Sequence, residues 1–403
     1  MKHLVIASDL FKPSIGGTET VTENMAKNMV LKGWRVTVAA PAEKNQSSPK
    51  LVKDSAGYDI FRIKSIGLPI QKNLRFALLA KSQIESHFGK KDNQVDIIHV
   101  NNPFPSSKLM LRFAKKNSVP VVAGSHLMPE SFTTGINFLG EATTLINTFG
   151  WRRIVHFYNQ ANAVVSPTKT GINYLKQNGL RVRSYVISNG LDLGTNKALS
   201  LSALERQKIK DKMGIKTKFV CVYAGRLGVE KQVEVIIEAI AKLREGYDIS
   251  LVLVGDGNAM SRLKKLTKRL KIADRVIFTG FVRRQLTKKQ ILAISDMFAI
   301  ASPVELQSIV TLEAMAAGLP IYACSAGALP ELAQKGINGE TFREGDSDEL
   351  ARQLGKAMQD PILLAQYGHK SLEIIKHHDS RDTWLKYDDM YYSEIADYKN
   401  SKI

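Results

Sequence analysis

The chain has 403 residues, of which 44% are hydrophobic and 24% charged, a globular composition that supports two cores and excludes a disordered or fibrous protein. Its two cysteines, Cys221 and Cys324, sit in apolar runs and read as buried free thiols in a reduced compartment, which excludes a disulfide framework or a cysteine-cluster zinc site. The net charge of +19 is uneven: residues 1–190 carry 25 basic and 11 acidic side chains, against 32 and 27 in residues 191–403. Such a positive first half suits an anionic partner (nucleic acid, a phosphorylated substrate or an anionic membrane surface), with solubility alone as the bland alternative.

In chain order, HLVIAS is a strand, PSIGGTE a loop, and TVTENMAKNMVLKGW a helix stopped at Gly33. WRVTVAAP follows as a strand, so the chain opens as a βαβ unit with buried parallel strands. IFRIKSI, VDIIHVNN, VPVVAGSH, AVVSPT and SYVISNGLD extend the series and define a first domain over 1–190. After a Lys-rich stretch containing the helix SALERQKIKDKMGI, the pattern restarts. KFVCVYAGR, ISLVLVGDG, RVIFTGF, MFAIASP and LPIYACS are strands, and VEVIIEAIAKL is an amphipathic helix. These make a second Rossmann-like domain over 191–370, followed by an aromatic-rich helical tail over 371–403 that is expected to pack back toward the first. No run reaches 18 apolar residues, so no spanning helix is predicted. The first residues are too short and lack the cleavage site expected of a signal peptide.

Each strand of the second domain ends in small or polar residues, where an open parallel sheet places its binding crevice. Arg226 and Lys231 lie just beyond one strand end. Glu305 follows another, and Glu313 comes eight residues later on a helix expected to start near Gln307. Two cations and two carboxylates there suit a nucleotide-sugar: cations for a departing diphosphate, a carboxylate for the ribose hydroxyls. Surface ion pairs are the structural alternative. Gly255 and Gly257, and Gly327 with Ala328, are turns able to approach the same ligand. Asp256 reads as a turn residue.

In the first domain, Gly16 and Gly17 precede a helix that Thr18 is expected to cap, an arrangement fit for phosphate or sugar. Neither G-x-G-x-x-G nor a P-loop occurs, which argues against an NAD-linked enzyme or a P-loop ATPase. His126 follows a strand and faces a choice between proton handling or hydrogen bonding to a sugar, and a core or capping role. His99 faces the same choice. No H-E-x-x-H, D-x-D or other metal-ligand spacing is present, so no metal is expected. The segments IQKNLRFALLAKS, SKLMLRFAKKNS and 136–161 mix cations with apolar residues. Phe138, Leu139 and Trp151 are candidates to insert into a membrane surface beside Arg152 and Arg153, while packing on the domain's own sheet is the alternative. No nucleic-acid recognition motif appears.

The ordered set Gly225–Arg226, Glu230–Lys231, Gly255–Asp256–Gly257, Glu305-x7-Glu313, Ala314–Met315–Ala316, Gly318–Leu319–Pro320, Gly327, Glu331 and Asn338–Gly339 resembles the retaining GT-B glycosyltransferases of family 4. Gly16, Gly17 and Glu19 match that family's N-terminal donor loop, and His126 its histidine near the acceptor. The resemblance implies a GT-B fold of two Rossmann-like α/β domains facing across a cleft, and a sugar nucleotide held mainly by the second. Arg226 and Lys231 would hold the diphosphate, Glu305 the donor sugar and Glu313 the ribose. Gly16, Gly17, Gly225, Gly255, Gln307, Ser308 and Ile309 would line the donor pocket. Transfer would retain the anomeric configuration by front-side attack, without metal or prosthetic group. The family often has Glu-Phe-Gly after the first glutamate, where this chain has Leu306, Gln307 and Ser308.

Within the family, HLMPES (126–131) and FYNQANAVVSPT (157–168) resemble bacterial diacylglycerol glucosyltransferases, with Ser131 at a position usually held by Asn. This implies glucose transfer from a UDP-sugar, UDP-glucose, to a lipid acceptor, by a cytoplasmic enzyme peripheral on the inner face of the cell membrane. A phosphatidylinositol, polyprenyl-linked or soluble cell-envelope acceptor stays open, as does a non-catalytic polyanion-binding module.

Overall fold

The computed structural model describes residues 1–14, 16–44, 46, 48–68, 71–78, 81–133 and 141–402. Phe138 and Leu139 lie outside the described residues. The chain forms two compact units. One comprises Met1–Pro129, Thr144–Asn189 and Arg381–Ile403, and the other Glu130–Thr143 and Gly190–Ser380. The expected tail over 371–403 is therefore divided, its first ten residues clustering with the second unit.

The first unit contains β1 (His3–Ala7), β2 (Arg35–Pro41), β3 (Lys50–Lys53), β4 (Asp59–Ile63), β5 (Ser65–Leu68), β6 (Gln71–Ala77), β7 (Ile97–Asn101), β8 (Val121–Gly124), β9 (Ala163–Ser166) and β10 (Arg183–Val186). Eight of them form one sheet in the order β10-β9-β8-β7-β1-β2-β4-β3, parallel except where β3 pairs antiparallel with β4. Every residue of β1, β7, β8 and β9 is buried, which is why these strands read as unbroken apolar runs. β5 and β6 form a separate antiparallel hairpin. The stretch IQKNLRFALLAKS is thus mostly hairpin strand, and not the continuous amphipathic element its cations suggest.

The helix Ser380–Asn400 belongs to this unit from Arg381 onward. Trp384, Tyr387, Met390, Tyr391 and Ile395 join the core of Leu4, Ile6, Met25, Met29 and Trp34. Tyr391 meets Trp34 edge-on at 5.9 Å between ring centres, and Trp34 Nε1 donates to Asp388 at 2.6 Å. Each large side chain so buried contributes about 1.5–3 kcal/mol relative to exposure. Tertiary packing, more than helix propensity, holds this helix in place.

The second unit contains β11 (Phe219–Ala224), β12 (Ile249–Val254), β13 (Val276–Gly280), β14 (Met297–Ile300), β15 (Ile321–Cys324) and β16 (Gly339–Phe342), all parallel in the order β13-β12-β11-β14-β15-β16. Its helix Val233–Leu243 buries seven apolar side chains at helical spacing. Cys221 and Cys324 are buried free thiols in its core. Both units are Rossmann-like, the pair of domains that makes a GT-B-type fold. Each has a point where strand order reverses, between β1 and β7 in one unit and between β11 and β14 in the other, and there the crevice of a doubly wound sheet opens.

Candidate active site

In the second unit the reversal point gathers the charged residues. β11 runs into Gly225 and Arg226, then into a short 3-10 turn, Val229–Lys231, before the helix Val233–Leu243. Tyr223 donates its hydroxyl to the Arg226 carbonyl at 2.9 Å, fixing the backbone at the strand exit. β14 runs into the loop that carries Glu305. Lys231 Nζ donates to Glu305 Oε1 at 2.7 Å, with the two side chains 18% and 15% exposed. The Ala328 amide donates to the Glu305 carbonyl at 2.8 Å, so the loop after β15 fastens the same segment. Arg226 pairs with Glu230 at 2.6 Å and is largely exposed. Lys231 and Glu305 thus meet directly, and Arg226 stands beside them on the same connection.

Ser308 is the N-cap of the helix Ile309–Ala316. Its hydroxyl accepts from the Thr311 amide at 3.3 Å and from the Thr311 hydroxyl at 2.8 Å. The side chain that replaces a glycine here is thereby occupied in capping. Gln307 is buried, with Nε2 3.5 Å from His378 Nδ1, and Ile309 is half-buried at the first helical position. Glu313, one turn along, is bridged by Lys288 Nζ at 2.5 Å through Oε1, while its Oε2 is sealed from solvent without a partner among the described residues. Lys288 lies on the helix Gln285–Ile294, and nothing in its local spacing marks it as part of the site.

Gly225 and Gly255 have a structural reason for being glycine. Both hold positive φ, 144° and 146°, and a Cβ on Gly255 would stand 1.8 Å from the Gly225 carbonyl oxygen. The two strand ends are pressed together there by backbone alone.

In the first unit Gly16 is the N-cap of the helix Gly17–Leu31, in extended conformation at φ −176°, with no side-chain cap. Thr18 lies inside the helix and does not cap it, contrary to the expectation from sequence. Ser14 donates to Glu19 Oε1 at 3.1 Å, closing the loop around Gly16. Asp9, after β1, accepts from the amides of Ala77 at 2.9 Å and Ser106 at 2.8 Å, and burial pushes its carboxyl up to about 6.

Polar side chains converge beyond β7 and β8. A Cβ on Gly124 would lie 2.5 Å from Asn101 Oδ1, 2.8 Å from His99 Nε2 and 3.0 Å from His126 Nε2. His99 is wholly buried. Its Nε2 meets Asn101 Oδ1 at 3.0 Å and its Nδ1 the Tyr391 hydroxyl at 2.9 Å, so it is held as part of the core. Burial pushes the His126 imidazole down to about 4, and its Nε2 is sealed without a partner among the described residues. At neutral pH His126 is an uncharged ring, not a cation.

Trp151 does not face outward. It is 6% exposed and its ring lies 5.9 Å from that of Tyr174. Its neighbours Arg152 and Arg153 are exposed. The exposed apolar residues of the helix Glu141–Tyr158 are Leu145, Ile146 and Phe149, which the composition of the segment did not single out. Among the described residues, no helix is long and apolar enough to cross a membrane, and no cluster of three His, Cys, Asp or Glu side chains is placed to hold a metal ion.

The chain matches the family described as Glycosyltransferase Family 4 over residues 15–195 and that described as Glycosyl transferases group 1 over residues 205–373. It is 25% identical over 411 residues to the alpha-monoglucosyldiacylglycerol synthase of Acholeplasma laidlawii, covering 99% of this chain and 98% of that protein. It is also 25% identical over 413 residues to the N-acetyl-alpha-D-glucosaminyl L-malate synthase of Bacillus anthracis, covering 97% of each. Anabaena HepE, solved in complex with UDP-glucose, superposes with a TM-score of 0.77 at 22% identity over 98% of this chain and all of that one. With a family match on each Rossmann-like unit and full-length relatives that transfer sugars, the chain is a retaining glycosyltransferase of the GT-B fold, related to family 4, that takes its sugar from a nucleotide-sugar donor.

Proposed function

We propose that this enzyme transfers glucose from UDP-glucose to a diacylglycerol-type lipid, working as a peripheral protein on the anionic inner face of the cell membrane. The observation that carries the lipid half is the outer face of the helix Glu141–Tyr158. Leu145, Ile146 and Phe149 remain exposed in its first half, and Arg152, Arg153 and His156 follow on the same side. The Arg153 guanidinium lies 5.5 Å from the centre of the Phe149 ring. An apolar turn followed by a cationic turn suits the boundary between acyl chains and phosphates, with each cation near the surface contributing about 1 kcal/mol. By contrast, the helix Pro105–Asn117 exposes Lys108, Arg112, Lys115 and Lys116 but buries its apolar side chains, so it adds charge without insertion. The Acholeplasma relative, named for a diacylglycerol product, supports the acceptor, and the UDP-glucose bound by Anabaena HepE supports the donor.

In this reading the bond between the anomeric carbon and the diphosphate oxygen breaks while the acceptor oxygen forms its bond on the same face, and the acceptor's proton passes to the departing diphosphate. Arg226 and Lys231 stabilise the charge that collects on the departing diphosphate. Glu305 positions the donor sugar and Glu313 binds the ribose. Gly16, Gly17, Gly225, Gly255, Gln307, Ser308 and Ile309 border the donor. His126, a half-buried ring that is neutral at physiological pH, hydrogen-bonds to the acceptor and does not carry charge.

A soluble acceptor is the second reading, favoured by the equally similar Bacillus relative named for malate. Transfer from UDP-glucose is measured with diacylglycerol in anionic vesicles, with diacylglycerol in neutral vesicles, and with soluble hydroxy-acid acceptors. Product in anionic vesicles alone supports the lipid reading. Product in vesicle-free buffer with a hydroxy acid overturns it.

A further inference from the structure

The Glu313 side chain is 10% exposed and its two oxygens have different fates. Oε1 accepts from Lys288 Nζ at 2.5 Å, while Oε2 is shut away from water and has no partner among the described residues. Leaving a buried carboxylate oxygen unpaired is costly, so an unpaired one on a residue that borders a crevice marks a place where a donor group arrives. Lys288, Gln285, Asn196 and Glu313 border one crevice. Within it Gln285 donates to Asn196 Oδ1 at 2.7 Å, and the neighbouring Lys289 donates to the Thr195 carbonyl at 3.1 Å. Of the two adjacent lysines, therefore, one ties down the loop at 195–196 and the other serves the carboxylate.

We infer that Lys288 is a positioning residue for the ribose of the donor: it holds Glu313 by one oxygen, so that the other is presented to the ribose hydroxyls. The inference rests on the ribose role proposed for Glu313. Without the ammonium, the carboxylate would lose its charge partner and its rotation would be unrestrained, so neither oxygen would have a set direction. A cation that engaged the nucleotide only through charge would strengthen binding of ribose and deoxyribose forms alike. A cation that aims a hydrogen-bond acceptor changes the difference between them.

The test is calorimetric binding of UDP, 2′-deoxy-UDP and 3′-deoxy-UDP to the full chain and to Lys288→Met, Lys288→Arg and Glu313→Gln. The unsubstituted enzyme is expected to prefer UDP over at least one deoxy form by about 10-fold or more, as one hydrogen bond to a charged acceptor allows. Lys288→Met should cut that ratio to below about 3-fold, and Lys288→Arg, which keeps the cation, should restore most of it. A melting temperature for each variant separates fold from recognition, because a purely structural bridge would lower it without moving the ratio. A full ratio in Lys288→Met beside a lost ratio in Glu313→Gln would overturn the role of Lys288 and leave the ribose reading standing. A full ratio in Glu313→Gln, or no preference in the unsubstituted enzyme, would overturn the ribose reading and this inference with it.

Discussion

Lys231 Nζ and Glu305 Oε1 stand 2.7 Å apart, joining the connections that follow β11 and β14, the two strands on either side of the reversal point in the second sheet. A cation and a carboxylate expected to serve different parts of one donor are therefore each other's hydrogen-bond partners. In the proposed role of Lys231, a diphosphate would share or exchange that partner, so the two residues should be energetically coupled.

The first prediction ranks the two cations. Arg226 is 63% exposed in an i,i+4 pair with Glu230, whereas Lys231 is 18% exposed. Lys231→Ala should lower kcat/KM by about 100- to 1000-fold, because a charge-assisted contact is lost and Glu305 is left without its partner. Arg226→Ala should cost about tenfold less than that, since its field is weakened by solvent. Steady-state kinetics with the true substrates give the order, and an equal or reversed ranking would count against the proposed geometry.

The second prediction separates the carboxylates. Glu313→Gln should weaken binding of free UDP with little change in its effect on turnover of bound donor. Glu305→Gln should leave UDP binding nearly intact and lower kcat by about 10- to 100-fold. Calorimetry for the first and saturating kinetics for the second keep the two apart.

The third prediction concerns Gly255. Its positive φ and the 1.8 Å approach of the Gly225 carbonyl leave no room for a methyl group. Gly255→Ala should destabilise the second unit by about 2–4 kcal/mol, through backbone strain and a forced shift of the strand ends. Calorimetric melting should show the higher loss in the transition belonging to that unit. An unchanged melt with reduced donor affinity would instead assign this glycine to binding.

A fourth prediction concerns acid. Burial pushes His3 down to about 4 and His99 down to about 3, both from an ordinary 6.5. In the folded state they bind protons only at lower pH than in the unfolded chain. Their contribution is therefore fully present above about pH 6.5 and is lost as pH falls toward 4 and 3, each by up to about 1.4 kcal/mol per pH unit. Asp9, raised to about 6 from 3.8, works in the opposite direction and offsets part of this loss. The first unit should melt at a lower temperature at pH 5 than at pH 7, and His99→Gln should flatten the dependence. Identical melting at the two pH values would contradict the neutral, buried state of these rings.

The fifth prediction contrasts neighbours on one helix. Phe149→Ser with Leu145→Ser should leave stability nearly unchanged and remove the salt-resistant part of binding to anionic vesicles. Arg152→Ser with Arg153→Ser should remove the salt-sensitive part. Trp151→Ala should instead lower stability by about 3–5 kcal/mol, because it empties a packed position. Flotation at low and high salt, with a thermal melt for each variant, reads all three.

Much of the fold was legible because it is written in short-range patterns. Parallel strands covered on both faces are continuous apolar runs, and the residues just past them fall at the sheet edge where a crevice opens. The positions of Arg226, Lys231, Glu305, Gly16 and His126 beyond strand ends or at a helix entrance follow from that rule, whereas Glu313 lies inside the helix Ile309–Ala316. The strands β3, β5 and β6 escaped it because they are not buried parallel strands: β3 is mostly exposed, and β5 and β6 form a separate antiparallel hairpin. Trp151 was misplaced because the helix Glu141–Tyr158 is apolar over much of its circumference, and periodicity does not say which arc meets the sheet. Only tertiary packing put Trp151 inside and Phe149 outside. The same holds for Lys288 with Glu313, 25 residues apart, and for Tyr391 with His99, 292 residues apart. By itself the sequence determined which segments become strands and helices and which ends carry charge, since propensity and burial act over a few residues. Partnerships between distant side chains were decided by how the sheets and helices pack, because a hydrogen bond needs ångström-level proximity that no local spacing encodes.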